Sequence, residues 1–125
     1  MVRVMAFSND DMKSDMLKEV LAQIAVIARQ KGIGRDTIAL GRLWIKTLCK
    51  LKIGMLRRPF VSSDNSDGTL GLTFSRENRF VEIVFDDNPS MICTLNRDTK
   101  HRSVTWGDLP ESEEELLSFW EWITT

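Results

Sequence analysis

Leu70-Gly71-Leu72-Thr73-Phe74 and Phe80-Val81-Glu82-Ile83-Val84-Phe85, linked by Ser75-Arg76-Glu77-Asn78, decide how this chain folds. In the first run apolar residues return at every second position, which aims one side of an extended strand at a core. The second run is aromatic and β-branched at nearly every position, the composition of a well-packed strand. The polar link has hairpin length, so the two runs are predicted to pair antiparallel. Downstream, Asp86-Asp87-Asn88-Pro89 reads as a turn. Met91-Ile92-Cys93-Thr94-Leu95 then reads as a third strand and Ser103-Val104-Thr105-Trp106 as a short fourth. Upstream, Ser62-Ser63-Asp64-Asn65-Ser66-Asp67-Gly68 is a turn cluster, and before it the period changes from 2 to 3.6.

Two helices precede the strands. Met12, Met16, Val20, Ile24, Ile27 and Ala28 recur at helical spacing, with Ser8 as cap, Asp10 and Asp11 in the first turn, Arg29 and Lys31 in the last, and Gly32 as the stop. From Val20 to Ala28 only Gln23 is polar, so that stretch is either central to the core or a surface for self-association. A second helix is predicted to open near Asp36-Thr37, with Asp36 as cap and a stripe of Leu40, Trp44, Leu48, Leu51 and Met55, ending at Gly54. Its other face carries Arg42, Lys46 and Lys50 at four-residue steps, with Arg35 and Arg57 beyond either end. The last helix is predicted to open at the capping box Asp108-Leu109-Pro110-Glu111 and to pack through Leu116, Trp120 and Ile123. The expected fold is α+β: two N-terminal helices, an antiparallel meander of about four strands, and a C-terminal helix packed on the sheet, with residues 1–125 as one domain.

The 125 residues include 17 Lys+Arg, 18 Asp+Glu and one His, with 42% hydrophobic and 28% charged residues, a globular composition. Cys49 and Cys93 are too few for a disulfide scaffold, and with His101 they fall short of a four-ligand zinc site. No apolar run reaches the roughly 18 residues that cross a bilayer, and the start of the chain does not read as a signal peptide. A soluble cytoplasmic protein is the expectation.

Charge is segregated along the chain. Arg29, Lys31, Arg35, Arg42, Lys46, Lys50, Lys52, Arg57 and Arg58 face a single acid, Asp36, within residues 29–58. The C-terminal 25 residues hold Arg102 against Asp108, Glu111, Glu113, Glu114, Glu115 and Glu121. Such a block either neutralises an acidic segment of the same fold or meets an anionic partner. Arg35, Arg42, Lys46, Lys50, Arg57 and Arg58 are therefore the candidate binding residues, and Trp122 is a candidate aromatic anchor.

Chemistry finds little purchase. Ser63, Asn65 and Asp67 mimic the start of a calcium loop, but Phe74 stands where the closing Glu belongs. His101 sits in the polar string Arg97-Asp98-Thr99-Lys100-His101-Arg102, and adjacent Asp86 and Asp87 point apart on extended chain. Cys49 reads as a small buried hydrophobe beside its helix stripe, not as a thiolate nucleophile. Gly32-Ile33-Gly34 lacks the third glycine and the Lys-Ser/Thr pair of a phosphate loop. No enzyme, no cofactor and no metal are expected.

Two resemblances bear on function. Ala28, Gly32 and Ile38, within residues 27–38, resemble the turn of helix-turn-helix DNA-binding domains, which implies that Arg35, Arg42 and Lys46 approach phosphates or bases. Lys31 and Gly41 stand where that pattern has apolar and branched residues. A longer stretch, about residues 36–123, resembles a group of small uncharacterised bacterial proteins. Those show a Pro-containing stretch, an Asp-Gly-Gly turn, a strand ending Leu-Glu-Trp, a Leu-Glu-Ile strand and a Trp-rich last helix. The counterparts here are Arg58-Pro59-Phe60-Val61, Asp67-Gly68-Thr69 to Phe74, Phe80-Val81-Glu82-Ile83, and Pro110 to Ile123 with Trp120-Glu121-Trp122. This resemblance implies fold and a bacterial or mobile-element setting, and no activity.

The expectation for function is a non-enzymatic interaction protein of an accessory or defence locus, of antitoxin, immunity or inhibitor type, whose basic helix face binds an acidic protein. The alternative is a DNA-binding protein using the segment at 27–50. No membrane partner is expected, and Val20–Ala28 is the stretch for a homo-oligomer.

Overall fold

The computed structural model describes residues 9–30, 32–50, 58–86, 90–97 and 103–124. Ser8, Leu51, Gly54, Met55, Arg57 and His101 lie outside them, as does the turn at 87–89. The elements follow in the order α1 (Asn9–Ala28), α2 (Arg35–Lys50), β1 (Phe60–Asp64), β2 (Thr69–Arg76), β3 (Arg79–Phe85), β4 (Met91–Asn96), β5 (Ser103–Asp108) and α3 (Glu113–Thr124). The class is the expected α+β, with five strands where about four were predicted.

The strands form one antiparallel sheet in the order β1-β2-β3-β4-β5. Register sets Leu70 opposite Phe85, Leu72 opposite Ile83 and Phe74 opposite Val81, so the alternation read in β2 meets its match in β3. Ile83 lies opposite Ile92 of β4 and continues this inner side. All seven of these side chains are buried.

The extra strand is β1. Ser62, Ser63 and Asp64, read as turn residues, are paired with Gly71, Leu70 and Thr69. Its polar residues suit an edge, and Pro59 immediately before it fits there because an edge strand can spare an N–H. The true turn is shorter. Asp64 Oδ1 accepts from the backbone N–H of Ser66 (2.9 Å) and Asp67 (3.3 Å), and Gly68 N–H donates to the Asp64 carbonyl at 2.8 Å. Asp64 thus serves the backbone of its own loop.

The three helices bury their apolar stripes on the inner side of the sheet. In α1, Val20, Ile24 and Ile27 are buried, whereas Ala28 is exposed and Val26 is 58% exposed. The nearly all-apolar stretch is mostly core, and its surface for self-association reduces to Ala22, Val26 and Ala28. Arg29 falls just beyond the helix, where its N–H still reaches the Val26 carbonyl at 3.2 Å.

In α2 the deepest line is Ile38, Gly41, Ile45 and Leu48, rotated from the Leu40–Trp44–Leu48 stripe of the sequence reading. Leu40 and Trp44 pack at its margin, Trp44 tilted at 51° to Phe85 with centroids 6.4 Å apart. Asp36 is not the cap: Ile38 N–H donates to the Gly34 carbonyl at 3.1 Å, so Asp36 sits inside the first turn.

α3 likewise starts later than predicted. Ser112 Oγ accepts from Glu115 N–H at 3.1 Å, so Ser112-Glu113-Glu114-Glu115 supplies the cap, and Asp108 ends β5. Leu116, Trp120 and Ile123 are buried, with Trp120 edge-on to Phe74 at 5.2 Å.

Candidate partner-binding face

An α-helix turns about 100° per residue. On α2, burial of Ile38, Gly41, Ile45 and Leu48 therefore leaves Arg35, Arg42, Lys46 and Lys50 along one outward flank, from about 80° (Arg42) to about 160° (Lys50) round from the buried line, and all four are exposed. From Arg35 to Lys50 the line runs about 22 Å, at 1.5 Å rise per residue. Ala39 and Leu43 share this side, and Leu43 is 59% exposed. None of the four cations makes an ion pair among the described residues.

The competing idea was that the acidic last helix neutralises this block. Glu113, Glu114 and Glu115 are exposed at the start of α3, where they favour the positive helix end. α3 packs on β2 and β3, and no ion pair joins it to α2 among the described residues.

The other candidates part company with this line. Arg58 is exposed, but its Nη1 bonds to Glu19 Oε2 on α1. That pair ties the entry to β1 to the first helix, and as a surface pair it is worth about 0–1 kcal/mol. Arg57 lies outside the described residues. Trp122 is half-buried on α3. The Arg79 guanidinium lies 5.3 Å from its ring centroid, and Arg79 Nη1 donates to the Trp122 carbonyl at 2.6 Å. Trp122 is thus a clasp between α3 and β3, away from the basic line.

The segment that resembles a helix-turn-helix has mixed geometry. Gly32 adopts φ +112°, and a Cβ there would sit 2.8 Å from the Asn65 carbonyl, so this turn needs glycine. Ile38 is buried as the pattern implies, but Ala28, the first small residue of the pattern, is exposed.

A second surface escaped the sequence reading. Phe60, Thr73, Glu82, Cys93 and Trp106 lie in one row across the other side of the sheet, the helix-free side among the described residues. Phe60 is 70% exposed, Val104 59% and Trp106 51%. The signal was present in β3, whose Phe80, Val84 and their neighbours are apolar on both sides. In the row's middle, Thr73 Oγ1 donates to Glu82 Oε2 at 3.1 Å. Burial, and then the Glu82 carboxylate, push the Cys93 thiol pKa up, which makes it a sluggish nucleophile. Cys49 is half-buried against the core.

Among the described residues no three His, Cys, Asp or Glu side chains gather to hold a metal, and no helix is long and apolar enough to cross a membrane. Comparison with protein-family models, with curated proteins and with solved structures finds no match to this chain.

Proposed function

We propose that this chain is a non-enzymatic interaction module that docks an acidic protein on the outer side of α2. The observation that carries this reading is the line Arg35, Arg42, Lys46 and Lys50, exposed and without an ion pair among the described residues. Arg35 sharpens it. A cation in the first turn of a helix opposes the helix dipole, so its place there is poorly explained by stability. Exposed Leu43 beside the line favours a protein over a nucleic acid, because it offers apolar contact amid the charges. A partner helix with Asp or Glu every fourth residue would match the step of about 6 Å between Arg42, Lys46 and Lys50. An antitoxin, immunity protein or inhibitor would use such a face to cover its target.

The test is a tagged pull-down from the cells that make the protein, with and without nuclease, comparing the parent with Arg42→Glu/Lys46→Glu/Lys50→Glu. A nuclease-resistant protein partner in simple stoichiometry, lost in the triple variant while its circular dichroism is unchanged, is the expected result. Unchanged affinity in the triple variant removes the proposal.

DNA binding by residues 27–50 is the second reading, favoured by the tight Gly32 turn and buried Ile38 ahead of the same cations. It predicts a complex that nuclease destroys and whose affinity falls steeply with salt as phosphate counterions are released. A flat salt response counts against it.

A further inference from the structure

β5 is an edge strand whose six residues are all exposed. It pairs with β4 on one side and with no described strand on the other. Folded proteins usually blunt such an edge with Pro, Lys, a bulge, a very short strand or a covering element. The opposite edge follows that rule: β1 has five residues, follows Pro59, carries Ser62, Ser63 and Asp64, and lies against α1. Ser103-Val104-Thr105-Trp106-Gly107-Asp108 holds no Pro and no Lys, and no element among the described residues covers its free edge. Its apolar residues, Val104 and Trp106, instead lie on the helix-free side of the sheet.

We infer that β5 pairs antiparallel with β5 of a second copy of this chain, about a two-fold axis at Thr105, joining both sheets into one. A two-fold perpendicular to the sheet keeps both helix-free sides together and sets residues of like parity opposite one another. Centred on Thr105, it places Val104 opposite Trp106 of the other copy, twice, and Thr105 opposite itself. Aromatic with β-branched, and Thr with Thr, are favourable cross-strand pairs. Centring on Trp106 would set Val104 against Asp108, and centring on Val104 would carry Trp106 past the end of the strand.

Charge agrees with this axis. Asp108 is the one ionised side chain of β5. It falls outside the paired stretch, and the two copies hold it about 20 Å apart, at 3.4 Å per residue. That is more than twice the screening length of about 8 Å at physiological salt. Area sets the strength. At the usual 30–40 Å² per interface residue, the five paired residues of each copy, 103–107, bury roughly 175 Å² per copy, about a fifth of a standard interface. The dimer is therefore weak and concentration-dependent. It leaves the basic side of α2 free, so it stands or falls apart from the function proposed above.

Sedimentation velocity on the full chain, over a concentration series from roughly 5 to 500 µM suited to a weak contact, tests the association. Disulfide trapping tests the axis. Thr105→Cys brings two Cα atoms about 4.5–5.5 Å apart, within disulfide reach. Ser103→Cys leaves them about 14 Å apart, out of reach. The parent, with Cys93 buried and Cys49 half-buried, gives the background under the same mild oxidant. Expected are a monomer that becomes a dimer with concentration, covalent dimer at least tenfold above background in Thr105→Cys, and background in Ser103→Cys. Val104→Lys, exposed and so compatible with folding, should move the midpoint at least tenfold higher with circular dichroism unchanged. A monomer throughout, equal trapping by both cysteine variants, or a dimer indifferent to Val104→Lys overturns the inference.

Discussion

Gly41 shows how one residue can carry opposite meanings in sequence and in structure. Within a helix, glycine costs about 1 kcal/mol against alanine. Here a Cβ would run into Leu70 Cδ2 and lie 3.6 Å from Phe85, so the missing side chain sets how closely α2 approaches β2. Leu70 is fully buried and has little room to yield. Overpacking of this kind costs about 1–3 kcal/mol, which equals or exceeds the propensity gain. Gly41→Ala should therefore not stabilise the fold as an ordinary helix Gly→Ala does, but lower stability by up to about 2 kcal/mol in urea unfolding. The loss should shrink in a Leu70→Val background, where the colliding methyl is gone. Composition shows the glycine; only the partner strand shows what it is for. Cys93 gives a second residue-scale expectation. Its folded pKa is raised by burial and by Glu82, so its contribution to stability is complete below the unfolded thiol pKa and is lost as pH rises through the folded one. Unfolding midpoints between about pH 8 and 10 should thus fall more steeply for the parent than for Cys93→Ala. Parallel slopes would show that the thiol is not responsible.

At the scale of elements, legibility followed periodicity. β2 and β3 were readable because their apolar residues repeat at period 2 and meet across the hairpin in register. β1 was not, because Ser62, Ser63 and Asp64 have turn chemistry and become a strand only by pairing with β2. The core stripe of α2 was displaced for a related reason: leaving Gly41 and Ile45 out of it hid the line that packs deepest. In α3 the stripe was right and the start was late. Pro110 is buried before the helix, and Ser112 supplies a side-chain oxygen that Glu115 N–H reaches. The basic line on α2 was legible as spacing alone, since four-residue steps fix a side of a helix before its surroundings are known. Arg58 and Trp122 were not legible in the same way, because Glu19 and Arg79, which engage them, are remote in sequence. Their engagements separate them from the cations that remain available to a partner.

Across the whole molecule the sheet is a divider. One side holds the core and three helices, and an outward flank of α2 carries Arg35, Arg42, Lys46 and Lys50. The other side carries a row of apolar and aromatic groups around Glu82. Charge segregation in the chain was thus a fair guide to one surface, and apolar residues on both sides of β3 were an unread guide to the second. The strand order also bears on how the molecule comes together in time. Every neighbour in the sheet is a neighbour in sequence, so each pairing closes a short loop and none waits for a distant segment. The β2–β3 hairpin, with two-sided pairing and buried inner residues, is the natural seed from which the outer strands zip. Amide hydrogen exchange should rank accordingly in dilute protein, with β3 slowest and β5 fastest of the strands, because β5 has a single neighbour and six exposed residues, whereas the other edge, β1, is half-buried at Val61 and Ser62 and lies against α1. Equal protection of β3 and β5 would mean that the sheet opens only as a unit. In the ranked case, β5 is the strand that spends most time adrift, and its unprotected intervals are when an extended chain from elsewhere can take its place beside β4.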